Sequence, residues 1–493
     1  MSALQQVRGV LQKRFVKLFA LTALLIWVAN VCLDLKYSVH DPDIWWHLRV
    51  GDWILENHGV PHIGILSRTA ANTPWVAYSW GYEVLLSLAY RCFGLLGVGF
   101  FGTALTLAVA VMVFWMLHRL SGRFWVSCGL SVAACYPVLF TLMPRPVFFT
   151  MILFIITLTL ILEANRSGRV QPLYWLPLVF AVWANLHIQF AYGLLVLGIF
   201  VAVNLAQRWF QKLNIYPGSL HPSVLPGDRL LLILAGCMAA TCIGPNWFHL
   251  YEVIFEYTKA KYAYSMMIEL QAINFRFSEN YVQLLLTAAG FFALGRQKKL
   301  DPFLLVLLTI CSVVAFRTMR DSWFICFPAA ACIADIVRQE KDFDQPETAL
   351  EWAGVAAVVC VGVWLLAPGK DFTERGLDNS ISDFFPVNAV NFLRKNPVPG
   401  PLYNDLTWGG FLTWYTPGYP VAIDGRNDLY GDALDEVFVK SERAEPSYTT
   451  DPYLNESGVV LLRRVLPLAR QLSLDSRFKI IYEDALSVVF VHQ

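Results

Sequence analysis

The stretch "HDPDIWWHLRVGDWILENHG", His40 to Gly59, sets four acids, three histidines and three tryptophans directly after the first apolar segment of a 493-residue chain. Its local grammar is helical. Asp41 is a strong N-cap residue, because its carboxylate accepts from the free amides of a first turn. Pro42 suits the first helical position, and Asp43 favours the positive end of the helix dipole. Trp45, Trp46 and Trp53 are amphipathic rings that settle at headgroup depth, so the stretch reads as a capped helix lying on a membrane surface. A second reading sits beside the first. Asp43 and His47 are four residues apart and share a helix face, with Asp41 in reach of the same ion or donor. Paired carboxylates beside a histidine can ligate a hard divalent cation or take a proton from a nucleophile.

Composition decides the surroundings of this helix. Hydrophobic residues make up 56% of the chain and charged residues 15%, where a soluble protein carries about a quarter charged. The chain reads as a polytopic membrane protein, mainly α. A span needs roughly 20 mostly apolar residues, and about eleven segments qualify: 16–33, 95–117, 124–142, 147–163, 173–186, 190–207, 229–245, 281–295, 302–319, 322–337 and 352–368. The first is basic at its start and shows no small-x-small cleavage site, so it reads as a retained anchor. A net charge of +1 without a basic stripe excludes nucleic acid as a partner. The ten cysteines follow neither zinc nor disulfide spacing and read as buried apolar thiols.

Lys and Arg collect at the N-terminus and in every second connection, at 118–123, 163–169, 208–229, 295–299 and 337–341. By the positive-inside rule the N-terminus is inside and the C-terminus outside. Three regions then face the outer side: the loop 34–94, the loop 246–280, and everything from about Gly369 onward. After residue 368 the composition gains charge, Pro, Asn and Asp. Strand and helix signals alternate there, with strands expected at 400–405, 419–426 and 458–464 and a hairpin at the end. This predicts a small external α/β domain at 369–493 beyond a transmembrane domain at 1–368.

The layout resembles the GT-C superfamily of polytopic glycosyltransferases that use polyprenyl-phosphate-linked sugars, among them oligosaccharyltransferases, protein O-mannosyltransferases and aminoarabinose transferases. The resemblance rests on the acidic motif Asp41-Pro42-Asp43 after one outward span, the helix leading into "GDWILENHGVP", a second juxtamembrane helix "WGYEVLLSLAYRCFG" carrying Glu83, and a bundle ending in a soluble domain. It implies inverting sugar transfer on the outer face of a cytoplasmic membrane, bacterial by this layout, to an acceptor glycan, lipid or protein. Asp43 is then the candidate base, with Asp41 and Glu83 in support. Oligosaccharyltransferases carry a second acidic pair in the second external loop, whereas here that loop is "LMPRP" with no carboxylate. A divalent metal, Mg or Mn, therefore remains an open expectation tilted toward a metal-independent branch.

Other residues are candidates for substrate contact. Arg145, Arg317 and Arg320 fall at outer span ends, where arginine either binds a phosphate bidentately or snorkels to headgroups. Glu269 is a lone acid in an aromatic-rich loop, and His47 shares the face of Asp43. Asn185, His187 and Gln189 lie in a tight outer turn, explained equally by turn hydrogen bonds. In "NDLTWGGFLTWYTPGYPVAIDGRNDLYG", Trp408 is expected to stack on a sugar and Asp424 and Arg426 to bond hydroxyls, while Gly409 and Gly410 permit close backbone approach; the alternative for "VAIDGR" is a buried strand ending in a turn. The alternatives are a non-catalytic protein that binds lipid-linked glycans or assists envelope assembly, and, more weakly, a transporter, for which no internal repeat is found.

Overall fold

The structure is a computed structural model that describes residues 3–32, 34–139, 143–259, 262, 267–338, 353, 356–362 and 371–493. Among the described residues thirteen α-helices precede residue 339: α1 (Ala3–Cys32), α2 (Lys36–His40), α3 (Pro42–Asn57), α4 (Trp80–Ser121), α5 (Phe124–Leu139), α6 (Val147–Ser167), α7 (Leu176–Ala184), α8 (Phe190–Lys212), α9 (Gly227–Ala240), α10 (His249–Lys259), α11 (Ser278–Gly295), α12 (Pro302–Arg317) and α13 (Trp323–Ile336). Among the described residues α4, α6 and α8 are long and apolar enough to cross a membrane, and α5 and α12 are shorter apolar helices. Helices such as α9 and α13 have 14 residues each, which at 1.5 Å per residue is about 21 Å, short of a hydrocarbon core. The segment expected at 352–368 falls mostly outside the described residues. At the centre lies α13, buried from Trp323 to Cys332 on every side, as an all-round apolar helix must be. Phe154 of α6 packs edge-on against Trp323, with ring centroids 5.2 Å apart.

The quoted stretch folds as its caps predict. Asp41 caps α3, its carboxylate accepting from the Asp43 amide at 3.1 Å, and Pro42 occupies the first turn. The tryptophans differ from expectation. Trp45 and Trp46 are buried, because α3 is clamped between α4 and a C-terminal helix rather than resting on lipid. The second juxtamembrane helix is continuous with the following span as α4, broken at Phe93 and Gly94. Gly94 has φ +60°, and a Cβ there would meet Glu374 Oε1. Only glycine takes this bend without strain.

Beyond residue 371 come α14 (Glu374–Phe384), α15 (Val387–Lys395), β1 (Leu402–Asn404), α16 (Gly409–Tyr415), α17 (Asn427–Glu442), α18 (Pro452–Asn455), β2 (Val459–Arg463), α19 (Pro467–Leu472), β3 (Phe478–Glu483) and β4 (Ser487–His492). The sheet order is β1-β2-β4-β3, with β1 parallel to β2 and the other pairs antiparallel. The strand expected at 419–426 does not form. That segment pairs with the first loop instead, through a single bridge between Ser67 and Val421 and the bond from the Arg68 amide to the Val421 carbonyl (2.8 Å). Nine of the cysteines are free thiols; Cys92 and Cys360 are exposed, against the expectation of burial.

Candidate functional site

One guanidinium organises the site. Arg145 Nε donates to Asp41 Oδ2 at 2.8 Å and its Nη2 to Asp41 Oδ1 at 3.1 Å, a bidentate pair. Nη2 also lies 3.3 Å from Asp43 Oδ2, and Nη1 donates to Glu269 Oε2 at 2.9 Å. The other oxygen of Glu269 faces Arg320 Nη1 at 3.8 Å. Three stretches far apart in sequence thus meet: the α3 cap, the α5–α6 turn, and the paired segments at Glu269 and Arg320. Asp41 is wholly buried, whereas Asp43 and Arg145 are each 26% exposed and Glu269 is 41% exposed. Asp43 and Glu269 are therefore the carboxylates that a ligand can reach. Burial raises the pKa of Asp43 from 3.8 to about 7, outweighing the opposing pull of Arg145, with Asp41 adding to the rise. For Arg145 burial acts downward, but Asp41 and Asp43 prevail and hold it well above its ordinary value.

Each partner has a rigid mount. The turn carrying Arg145 is flanked by Pro144 and Pro146, and the Tyr82 hydroxyl of α4 donates to the Pro144 carbonyl. Arg320 sits in a single 3-10 turn, Met319–Asp321. Buried Asp321 anchors that turn by accepting from Gln189 Nε2 (3.1 Å), Tyr192 OH (2.8 Å) and Thr318 Oγ1 (2.7 Å). The Met319 amide then donates to the Gln271 carbonyl at 2.9 Å, which ties the turn to the segment bearing Glu269. Sequence reasoning passed over Asp321 and Tyr192. An acid adjacent to an arginine at a span end was the available signal.

The C-terminal segment packs directly on the acidic motif. A Cβ at Gly425 would stand 2.0 Å from Asp43 Oδ1, and one at Gly410 would stand 2.3 Å from the Pro42 carbonyl. The close approach expected of Gly410 is real, but its target is the backbone of α3. Trp46 Nε1, beneath Gly425, donates to Asp43 Oδ1 at 3.2 Å and fixes that carboxylate.

Several candidates from the sequence lie elsewhere. Trp408 is buried, and its Nε1 donates to the Phe384 carbonyl (3.1 Å); it is a core side chain, not a sugar platform. Asp424 and Arg426 are both fully buried and pair with each other at 2.6 Å, with the guanidinium over the Trp75 ring. Their hydrogen-bonding groups serve the 421–426 turn, where Arg426 Nη1 also donates to the Ile65 carbonyl, so neither is offered to a hydroxyl. His47 turns away from Asp43; its Nδ1 meets Glu83 Oε1 at 3.2 Å, and burial holds its pKa well below 6.5. Glu83 is buried behind it and does not join the Arg145 cluster. Arg317 ends α12 on an exposed surface, apart from the Arg145 contacts. Asn185 accepts from Trp80 Nε1 and donates to Ala181 and Ile243 carbonyls, a turn-forming role. His187 shares a hydrogen bond with Thr150.

The residues present do not fit a divalent metal ion. Both oxygens of Asp41 are turned to Arg145, and Asp43 Oδ1 is engaged by Trp46. Among the described residues no cluster of three or more His, Cys, Asp or Glu side chains is arranged to hold a metal.

No protein-family model and no curated protein matches the sequence. Solved structures do match in three dimensions. The oligosaccharyltransferase AglB from Archaeoglobus fulgidus, in complex with an inhibitory peptide and a dolichol-phosphate, aligns with a TM-score of 0.51 at 9% identity, over 90% of this chain and 69% of its own. The Archaeoglobus fulgidus oligosaccharyltransferase tethered to an acceptor peptide aligns with a TM-score of 0.51 at 10% identity, over the same shares. ArnT from Cupriavidus metallidurans bound to undecaprenyl phosphate gives a TM-score of 0.46 at 13% identity, over 99% of this chain and 98% of its own. The chain has the fold of the Archaeoglobus fulgidus oligosaccharyltransferase.

Proposed function

We propose that the protein is a glycosyltransferase that moves a sugar from a polyprenyl-phosphate-linked donor to an acceptor at the outer face of a membrane. The observation that carries this reading is the convergence of Asp43, Arg145, Glu269 and Arg320 on one partly exposed site, in a fold shared with an oligosaccharyltransferase. In the proposed reaction an acceptor hydroxyl attacks the anomeric carbon, and its proton passes to Asp43. The bond from that carbon to the phosphate oxygen breaks, and polyprenyl phosphate leaves with the electron pair. Arg145 and Arg320 place two fixed positive charges where that leaving phosphate gains charge. Asp41 aims Arg145, and Trp46 aims Asp43. A dolichol-phosphate bound to AglB supports a lipid-phosphate donor.

In the same proposal residues 1–368 form the membrane domain of about eleven spans, with the N-terminus inside. Residues 369–493 form an external domain that closes over the site and selects the acceptor, whether glycan, lipid or protein. Alternation of basic connections supports this orientation, and a bacterial cytoplasmic membrane with a periplasmic C-terminal domain suits it. The test is Asp43→Asn, assayed with a labelled lipid-linked sugar. A fall in transfer of about 10²–10⁴-fold is expected for loss of a general base. Undiminished transfer in a folded variant removes Asp43 from that role, and donor binding without any transfer by the wild type favours the glycan-binding reading.

A further inference from the structure

We infer that Arg145 is the resident cation of this centre, a guanidinium in the position that a divalent metal ion would need, so that the site works without one. The inference rests on the proposed location of the reaction at Asp43, but its geometry stands alone. Three carboxylates from two separate segments, Asp41 and Asp43 at the start of α3 and Glu269 far away in sequence, converge on a single side chain. Arg145 spends Nε and Nη2 on both oxygens of Asp41, Nη2 again on Asp43, and Nη1 on Glu269. Clusters of carboxylates ordinarily draw a hard cation for charge balance. Here the balance is covalently built in, and the guanidinium fills the space between the acids.

Two features make this arrangement fixed rather than incidental. Asp41 is wholly buried and is the cap of α3, so it cannot swing out to a solvent ion without uncapping that helix. Arg145 is mounted between two prolines on a turn braced by Tyr82. Arg320, on the far side of Glu269, adds a second fixed positive charge that repels an incoming metal ion. Arg145 is thus a positioning and charge-balancing residue: it holds Asp43 as an available carboxylate and faces the donor phosphate with the same group.

The test uses the full-length protein in detergent or nanodiscs and reads free Mn²⁺ by electron paramagnetic resonance, which does not require any donor or acceptor. Wild-type protein is expected to leave the free Mn²⁺ signal unchanged. Arg145→Gln, which leaves Asp41 and Asp43 without the guanidinium between them and Glu269 with Arg320 alone, is expected to gain Mn²⁺ uptake, and that uptake is lost when Asp41→Asn is added. Sugar transfer by the wild type is expected to be the same with and without a chelator. Wild-type uptake of Mn²⁺ that Asp41→Asn abolishes overturns the inference, as does a folded Arg145→Gln protein that stays metal-free. If Arg145→Gln fails to fold, the wild-type and Asp41→Asn titrations still decide. Failure of the glycosyltransferase reading shows separately, as absence of transfer with an unchanged Mn²⁺ result.

Discussion

Asp41→Asn separates the ion pair from the helix cap. Asn caps helices about as well as Asp, so the acceptor for the Asp43 amide survives, while the charge facing Arg145 at 2.8 and 3.1 Å is removed. Deleting one partner of a fully buried pair costs about 3–5 kcal/mol, because the other charge is stranded. Arg145 is not stranded here. It is 26% exposed and keeps Asp43 at 3.3 Å and Glu269 at 2.9 Å. The expected loss therefore falls to about 2 kcal/mol, the scale of one charge-assisted hydrogen bond. A double-mutant cycle with Arg145→Gln isolates the pair, with a coupling of about 1–2 kcal/mol. Unfolding of the four proteins in mixed micelles, followed by tryptophan fluorescence, measures it. Additivity within about 0.5 kcal/mol would refute the claim that these two residues hold each other.

Two further outcomes follow from the same geometry. With the pKa of Asp43 raised from 3.8 to about 7, its base form appears only as pH rises through about 7, so transfer is expected to climb across that range and to be lost below it. The stability effect has the opposite sense: the contribution of protonated Asp43 is complete below its unfolded pKa and is lost as pH rises through the folded value. Melting profiles of the wild type and Asp43→Asn across pH test the sign; a wild-type protein that gains stability relative to the variant on raising the pH contradicts it. Gly425→Ala places a Cβ 2.0 Å from Asp43 Oδ1 and 3.3 Å from Trp46 Nε1. Backbone displacement of this kind costs about 1–3 kcal/mol and is expected to lower both the melting temperature and the transfer rate. An unchanged melting temperature would mean that the 424–426 turn does not rest on α3.

Much of the fold was legible because its signals are local. Asp41, Pro42 and Asp43 announced the start of α3, and the cap formed with the geometry those residue types favour. The hydrophobic strands β2 and β4 and the helix α19 between them formed within the stretches expected for them. The expected strand at 419–426 failed for a non-local reason: the partner of Val421 is Ser67, in a different part of the chain. Trp408, Asp424 and Arg426 looked like ligand-binding residues because polar and aromatic types serve both surfaces and cores, and type alone carries no record of burial. Asp43, Arg145 and Glu269 were each named from local context, but nothing in their spacing paired them.

The sequence by itself determined where helices start, which segments are apolar, and that an acidic motif follows the first of them. Those properties depend on residues within one or two turns of each other. Tertiary structure alone decided that Asp41 would face Arg145 across 104 residues, that Glu269 would bridge Arg145 to Arg320, and that Gly425 would settle on Asp43. Such contacts depend on how whole helices pack, since a carboxylate between two guanidiniums exists only once separate backbones have brought all three side chains within a few ångströms.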